Sequence, residues 1–293
     1  MLQKIVIVCL FLIGPIIVTI LGTTAYWPRP LTSGDGKYKS NVTNFFCENA
    51  YEYEENVFCQ PANGGSSYAF LIPGLLLIMC MPHLNKENIW NQAMAENVVF
   101  FASTAYLCCG NLMFHAFCVP GGIQYDGSGM IAAVSFFVAK STQKFTLQWN
   151  DKLQVFTFWG MLCLYFTMLN PFFFDIMDAS DALMFSFYGF VLIELTYAAT
   201  EEKQYLPNKY GIAAFLFFVV GYSGWIAQEV YNACNHESVF QWHAVWHVCT
   251  AAALFCLFMM HRTQTQRRTK TRNAYSRVDV IDFKAVEVDE ETI

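Results

Sequence analysis

Eight apolar stretches punctuate the chain, near residues 4–25, 67–82, 97–118, 128–142, 153–172, 183–200, 210–230 and 240–260. Each is a continuous run, not the stripe of a surface helix or the alternation of a half-buried strand. Runs on the scale of 17–25 residues are what a hydrocarbon core of about 30 Å selects. Only helices and closed barrels satisfy their backbone groups there, and unbroken runs exclude the alternating barrel pattern. The pattern therefore predicts an all-α integral membrane protein, a seven-helix bundle preceded by a signal peptide or signal anchor. The expected parts are a signal segment (1–25), a lumenal segment (26–66), the seven-helix domain (67–260) and a cytosolic tail (261–293). For the first of these, a short basic start, an apolar run from Ile5 to Leu21 and the small residues Thr23, Thr24 and Ala25 favour cleavage. A retained anchor is the alternative.

Composition sharpens the picture. Of 293 residues, 55% are hydrophobic and only 14% charged, where a soluble domain carries roughly a quarter charged. The formal net charge of −6 hides a segregation of signs. Arg262, Arg267, Arg268, Lys270 and Arg272 form a basic cluster just past the last span, which assigns that end to the cytosol. Counting back, the loops with Lys86, with Lys140, Lys144 and Lys152, and with Lys203 and Lys209 fall on the same side. The opposite segments, 119–127, 173–182 and 231–239, contain no Lys or Arg. Residues 26–66 are then lumenal or extracellular, and Asn41-Val42-Thr43 is a glycosylation sequon there. Cys47, Cys59, Cys118 and Cys234 all lie on this oxidising side, where disulfides persist. The endoplasmic reticulum, Golgi or plasma membrane all suit such a chain. Nothing in it points to nucleic acid.

The candidate chemistry rests on few residues. Three of the six histidines, His115, His243 and His247, fall near the lumenal ends of predicted helices. His243 and His247 are four apart, so both imidazoles share one helix face, a common way to present two zinc ligands. His115 lies at the same depth on another helix, and Asp126 opens the helix that follows. Three neutral imidazoles leave one coordination position open, as catalytic zinc sites do. A nearby carboxylate then has the position to accept a proton. Interfacial histidines bonded to headgroups or backbone are the plain alternative, but ionisable groups at membrane depth favour function. Glu194, inside a span, reads equally well as cavity-lining, lysine-paired or snorkelling.

The run from Asn111 through Phe114-His115-Ala116 to Asp126, followed by Trp242-His243-Ala244-Val245-Trp246-His247, resembles the alkaline ceramidases. It also resembles their wider superfamily of seven-helix hydrolases, which includes the adiponectin and progestin receptors and GPI-anchor lipid-remodelling proteins. The resemblance implies zinc on His115, His243 and His247, with Asp126 activating water. Where the superfamily usually has a serine, this chain has Asn111, whose amide N–H is able to donate to an oxyanion. Phe46-Cys47-Glu48 and Gln60-Pro61-Ala62-Asn63 resemble the ceramidases' lumenal start, making Glu48, Gln60 and Asn63 candidate calcium ligands. Ala50 and Gln60 replace expected oxygen donors, leaving fewer than calcium takes. The same likeness would join Cys47 to Cys234, with Cys59 to Cys118 the alternative pairing. The implied activity is zinc-dependent hydrolysis of a lipid amide, ceramide giving a sphingoid base and a fatty acid. Zinc centres of this kind also attack esters, so a phospholipase-type remodelling enzyme is the neighbouring reading. A non-catalytic receptor or scaffold is a third.

Overall fold

A computed structural model of the chain describes residues 2–23, 58–80, 92–119, 121–145, 151–174, 179–200, 209–229 and 238–264. All regular structure among them is helical. Helix α1 is Leu2–Thr23. A short helix α2, Pro61–Ser66, passes through a tight turn, Ser67–Phe70, into α3, Leu71–Cys80. Then come α4, Gln92–Asn111, and a single wide turn of π-helix, Leu112–Ala116. Gly122–Phe145 forms α5 and Asp151–Leu169 forms α6, followed by the short α7, Pro171–Phe174. The bundle is completed by α8, Ala179–Thr200, α9, Lys209–Glu229, and α10, Trp242–Gln264. Among the described residues, seven helices of ten residues or more thus follow α1, in the order of the apolar runs.

Among the described residues, three stretches are long and apolar enough to cross a bilayer by length and composition: Glu96–Ala116, Lys209–Gln228 and Trp242–Gln264. The burial pattern carries the same message for the bundle as a whole. Phe156, Phe185, Leu192 and Phe215 are each more than 60% exposed, whereas Asn111, His115, Ser128, Ser135, Ser141 and Asn170 are fully buried. Large side chains facing outward and polar ones facing inward suit a hydrocarbon solvent, which offers polar groups nothing.

Helix α5 is central and packs against α4, α6 and α8. Its approach to α4 depends on small residues. A Cβ on Gly110 would collide with the Tyr125 carbonyl oxygen, and one on Gly129 would lie 2.7 Å from the Cα of Leu107. Close backbone approach of this kind is what glycines permit between membrane helices, and it sets Asn111 beside Asp126. Phe100, Phe136 and Phe258 then cross the bundle from α4, α5 and α10, the Phe100–Phe258 ring centroids being 4.6 Å apart.

Polar groups also knit the end of the bundle away from the histidines. Lys140 Nζ lies 2.9 Å from Glu96 and donates to Gln143 Oε1. The sequence places Lys140 at the cytosolic end of a span; here it is buried inside α5 beside Glu96. Glu194 accepts a hydrogen bond from Ser141 and sits 4.0 Å from His261. Helix α1 packs on α4, with its Thr19 hydroxyl 2.7 Å from the Tyr68 hydroxyl.

Candidate metal centre and its cavity

The three histidines come from two elements that end or begin at the same depth. His115 rides the π-turn that closes α4, and His243 and His247 occupy the first two turns of α10. Their candidate ligand atoms all lie within 4.8 Å of one another, and all three residues are buried. His115 Nε2 and His243 Nε2 are 3.2 Å apart. Tetrahedral ligation with metal–nitrogen bonds of 2.0–2.1 Å sets ligand nitrogens about 3.3 Å apart, so this pair already has the spacing of a chelate.

The π-turn is what aims His115. Widening the helix by one residue puts the bond from Phe117 N on Leu112 O, at 3.0 Å, and frees the carbonyls after it. Wide turns inside helices recur at functional sites for this reason. The freed groups are taken up by the segment before α2, where Cys59 N donates to Ala116 O at 2.7 Å and Gln60 N to His115 O at 3.0 Å. A disulfide between Cys59 and Cys118 fastens the same two strands of chain. Cys118 takes a left-handed backbone conformation, φ 47°, as the chain leaves the turn.

These ties set Gln60 beneath His115. Gln60 Oε1 lies 2.7 Å from His115 Nδ1, and Ser66 Oγ lies 2.8 Å from His247 Nδ1. Gln60 Oε1 only accepts, so it fixes the His115 proton on Nδ1 and leaves the Nε2 lone pair inward. Ser66 donates its own hydrogen to Asn63 O at 2.9 Å, so it too is an acceptor toward His247. Such partners orient metal-binding imidazoles and raise their basicity. The His243 backbone N–H, in the first turn of α10, donates to Gln228 Oε1 of α9 at 3.1 Å. The donor set fits a metal: three neutral imidazoles converge, two with their tautomers fixed for ligation.

Asp126 enters from α5, and Asn111 Nδ2 donates both to one of its carboxylate oxygens and to Leu107 O, the latter at 3.1 Å. Both amide hydrogens expected to face an oxyanion are therefore committed within the protein. Ser103 bonds back to Val99 O, and Ser128 to Tyr106 and Asn170, so neither joins the site. Gln60 and Asn63 lie against the histidines, their side chains 3.4 Å apart. Glu48, Cys47 and Cys234 fall outside the described residues.

Below the histidines opens a cavity of about 340 Å³. Asn111, Asp126, His243 and His247 line one end, and Phe137, Phe190 and Leu257 the other. From Asp126 to Phe137 along α5, and from His247 to Leu257 along α10, the helical rise is about 15 Å. That is close to the hydrocarbon depth of one bilayer leaflet, about half of 30 Å.

The sequence matches the family profile described as Ceramidase over residues 37–284. The chain belongs to the ceramidase family. The match spans most of the chain and includes every residue of the site. No curated protein matches closely enough to count as a relative. Membership in the ceramidase family makes the protein a hydrolase-family member whose substrate class is a membrane lipid amide. The histidine triad, which is able to hold a metal, agrees with that chemistry. Sequence reasoning missed the partnering roles of Gln60 and Ser66. Gln60 stood out only as a candidate calcium ligand, and the signal for Ser66 was the small polar run Gly64-Gly65-Ser66-Ser67 at the mouth of an apolar span.

Proposed function

We propose that the protein is a zinc-dependent ceramidase, hydrolysing the amide of ceramide to a sphingoid base and a fatty acid. The observation that carries this reading is the placement of three converging imidazoles, two of them tautomer-fixed, at the head of a leaflet-deep apolar cavity. His115, His243 and His247 would hold the ion through ring nitrogens. When bound, zinc supplies a Lewis acid that polarises a carbonyl and makes water more acidic.

The chain's own residues do the rest. The apolar walls between Phe137 and Leu257 take one hydrocarbon chain, which leaves the scissile amide level with the histidines. Burial there excludes bulk water and strengthens each polar contact. Asp126 accepts the proton of the attacking water as the new C–O bond forms. It returns a proton to the nitrogen as the C–N bond breaks, so acid and amine leave in balance. Asn111 is a positioning residue in this scheme. It holds one Asp126 oxygen and leaves the other for the proton transfer.

The test is product analysis of the purified full chain on ceramide and on a phospholipid of matched acyl chain, with His243→Ala as control. Release of sphingoid base by wild type, and not by the variant, supports the proposal. Cleavage of the phospholipid alone would replace it with an ester hydrolase. No cleavage of either lipid by protein that retains metal would favour a receptor or scaffold.

A further inference from the structure

The polar lining of the cavity is not exhausted by the histidines and Asp126. Thr250 also lines it from α10, three residues past His247 and seven past His243, on the stripe that carries both. Its Oγ1 is buried and makes no hydrogen bond. This departs from the habit of helical hydroxyls, which bond back to a carbonyl one turn earlier. Ser103, Ser135, Thr157 and Ser186 all do so, to Val99, Ile131, Leu153 and Ala182.

A second such atom faces the same space. Asn111 lines the cavity and is 1% exposed. Its Nδ2 is committed to Leu107 O and Asp126, but Oδ1 is buried with no partner. The Leu107 carbonyl only accepts, so it fixes which end of the amide is nitrogen. Asn111 precedes His115 by four residues on a helix ending at the site, and Thr250 follows His247 by three on a helix beginning there. At 1.5 Å per residue, both lie about 5 Å deeper than the imidazoles. Buried polar atoms without partners are costly, and two at one depth in a ligand cavity mark where the ligand is polar.

We propose that Thr250 Oγ1 and Asn111 Oδ1 form a hydrogen-bonding waist that reads the polar groups flanking the lipid's scissile bond. Asn111 Oδ1 accepts the amide N–H, and Thr250 Oγ1 pairs with a hydroxyl of the sphingoid base. The proposal rests on the ceramidase reading and adds the basis of selectivity. In a trans amide the N–H points away from the carbonyl, so a carbonyl at the histidines sends its N–H toward the waist. An ester sets an oxygen against Asn111 Oδ1, and two acceptors oppose each other.

The experiment measures dissociation constants by competition with a fluorescent ceramide, using the full chain in detergent. Three lipids of equal chain length are compared: ceramide, an N-alkyl fatty amide without hydroxyls, and the corresponding ester. Wild type should bind them in that order of affinity. Thr250→Val, which keeps the shape, should weaken ceramide about tenfold, the scale of one buried hydrogen bond. It should leave the hydroxyl-free amide within about twofold and the zinc content unchanged, and Thr250→Ser should restore ceramide binding. Equal losses for ceramide and the hydroxyl-free amide, or no loss for either, would overturn the role of Thr250. An ester bound as tightly as the hydroxyl-free amide would overturn that of Asn111. No ceramide binding by wild type would overturn both. Wild type that binds in the expected order without cleaving any lipid would contradict the hydrolase reading alone.

Discussion

Replacing Gln60 by Leu isolates the contact that prepares His115 for a metal. The side chain is 1% exposed and its Oε1 lies 2.7 Å from His115 Nδ1, so leucine of similar size removes the acceptor without opening the site. Two costs follow. A buried N–H that loses its acceptor forfeits about 1–3 kcal/mol, and the imidazole is no longer biased toward the tautomer whose Nε2 ligates. At 1.4 kcal/mol per tenfold, zinc affinity should fall roughly 10- to 100-fold, the range known for partners of metal-bound histidines. Gln60→Glu keeps an acceptor and should bind zinc at least as tightly as wild type. The assay is zinc competition against a chromophoric chelator, with detergent-solubilised protein checked for monodispersity. Well-folded Gln60→Leu protein that holds zinc with wild-type affinity would show that Gln60 does not prepare His115 for a metal.

Asp126→Asn should retain zinc yet lower turnover about 10²- to 10⁴-fold, the contribution of a positioned general base; metal content and initial rates on ceramide check both halves. Asn111→Ala removes the donor that fixes Asp126, so kcat should fall by more than KM changes. Asn111→Ser should recover part of the loss if its hydroxyl reaches the same oxygen. Joining chain positions 59 apart in sequence, the Cys59–Cys118 disulfide contributes about 4 kcal/mol on a chain-entropy estimate. Cys59→Ser should therefore lower the thermal midpoint and the zinc affinity together, since it loosens the segment carrying Gln60. Finally, Gly22 sits against the Phe117 ring and Thr19 against Tyr68, a fit that a discarded segment does not need. N-terminal sequencing of membrane-extracted protein should find α1 still attached.

Much of this was legible along the chain because the relevant signals are local. Apolar runs mark the helices since the bilayer leaves the backbone no alternative. His243 and His247 declare a shared face by their spacing alone, and His115 and Asp126 declare their depth by sitting at span ends. What stayed hidden depends on contacts between distant positions. His115 meets Gln60 across 55 residues, and His247 meets Ser66 across 181; no periodicity encodes either. The π-turn is hidden for another reason: Leu112–Ala116 has ordinary helix-forming composition, and only docking of Cys59 and Gln60 onto its carbonyls makes the wide turn worthwhile. Asn111 shows how a residue's type underdetermines its role. An amide suits an oxyanion, but the close α4–α5 packing at Gly110 and Gly129 spends both its hydrogens on Leu107 and Asp126.

On the proposed function, a metal held by His115, His243 and His247 makes this chain cleave ceramide. The most direct test is the rate of sphingoid-base release by protein stripped of metal with a chelator and then titrated with zinc. The expectation is that release is lost on stripping and returns in full at about one zinc per chain. Undiminished release from stripped protein, or none at any zinc occupancy, would contradict the account.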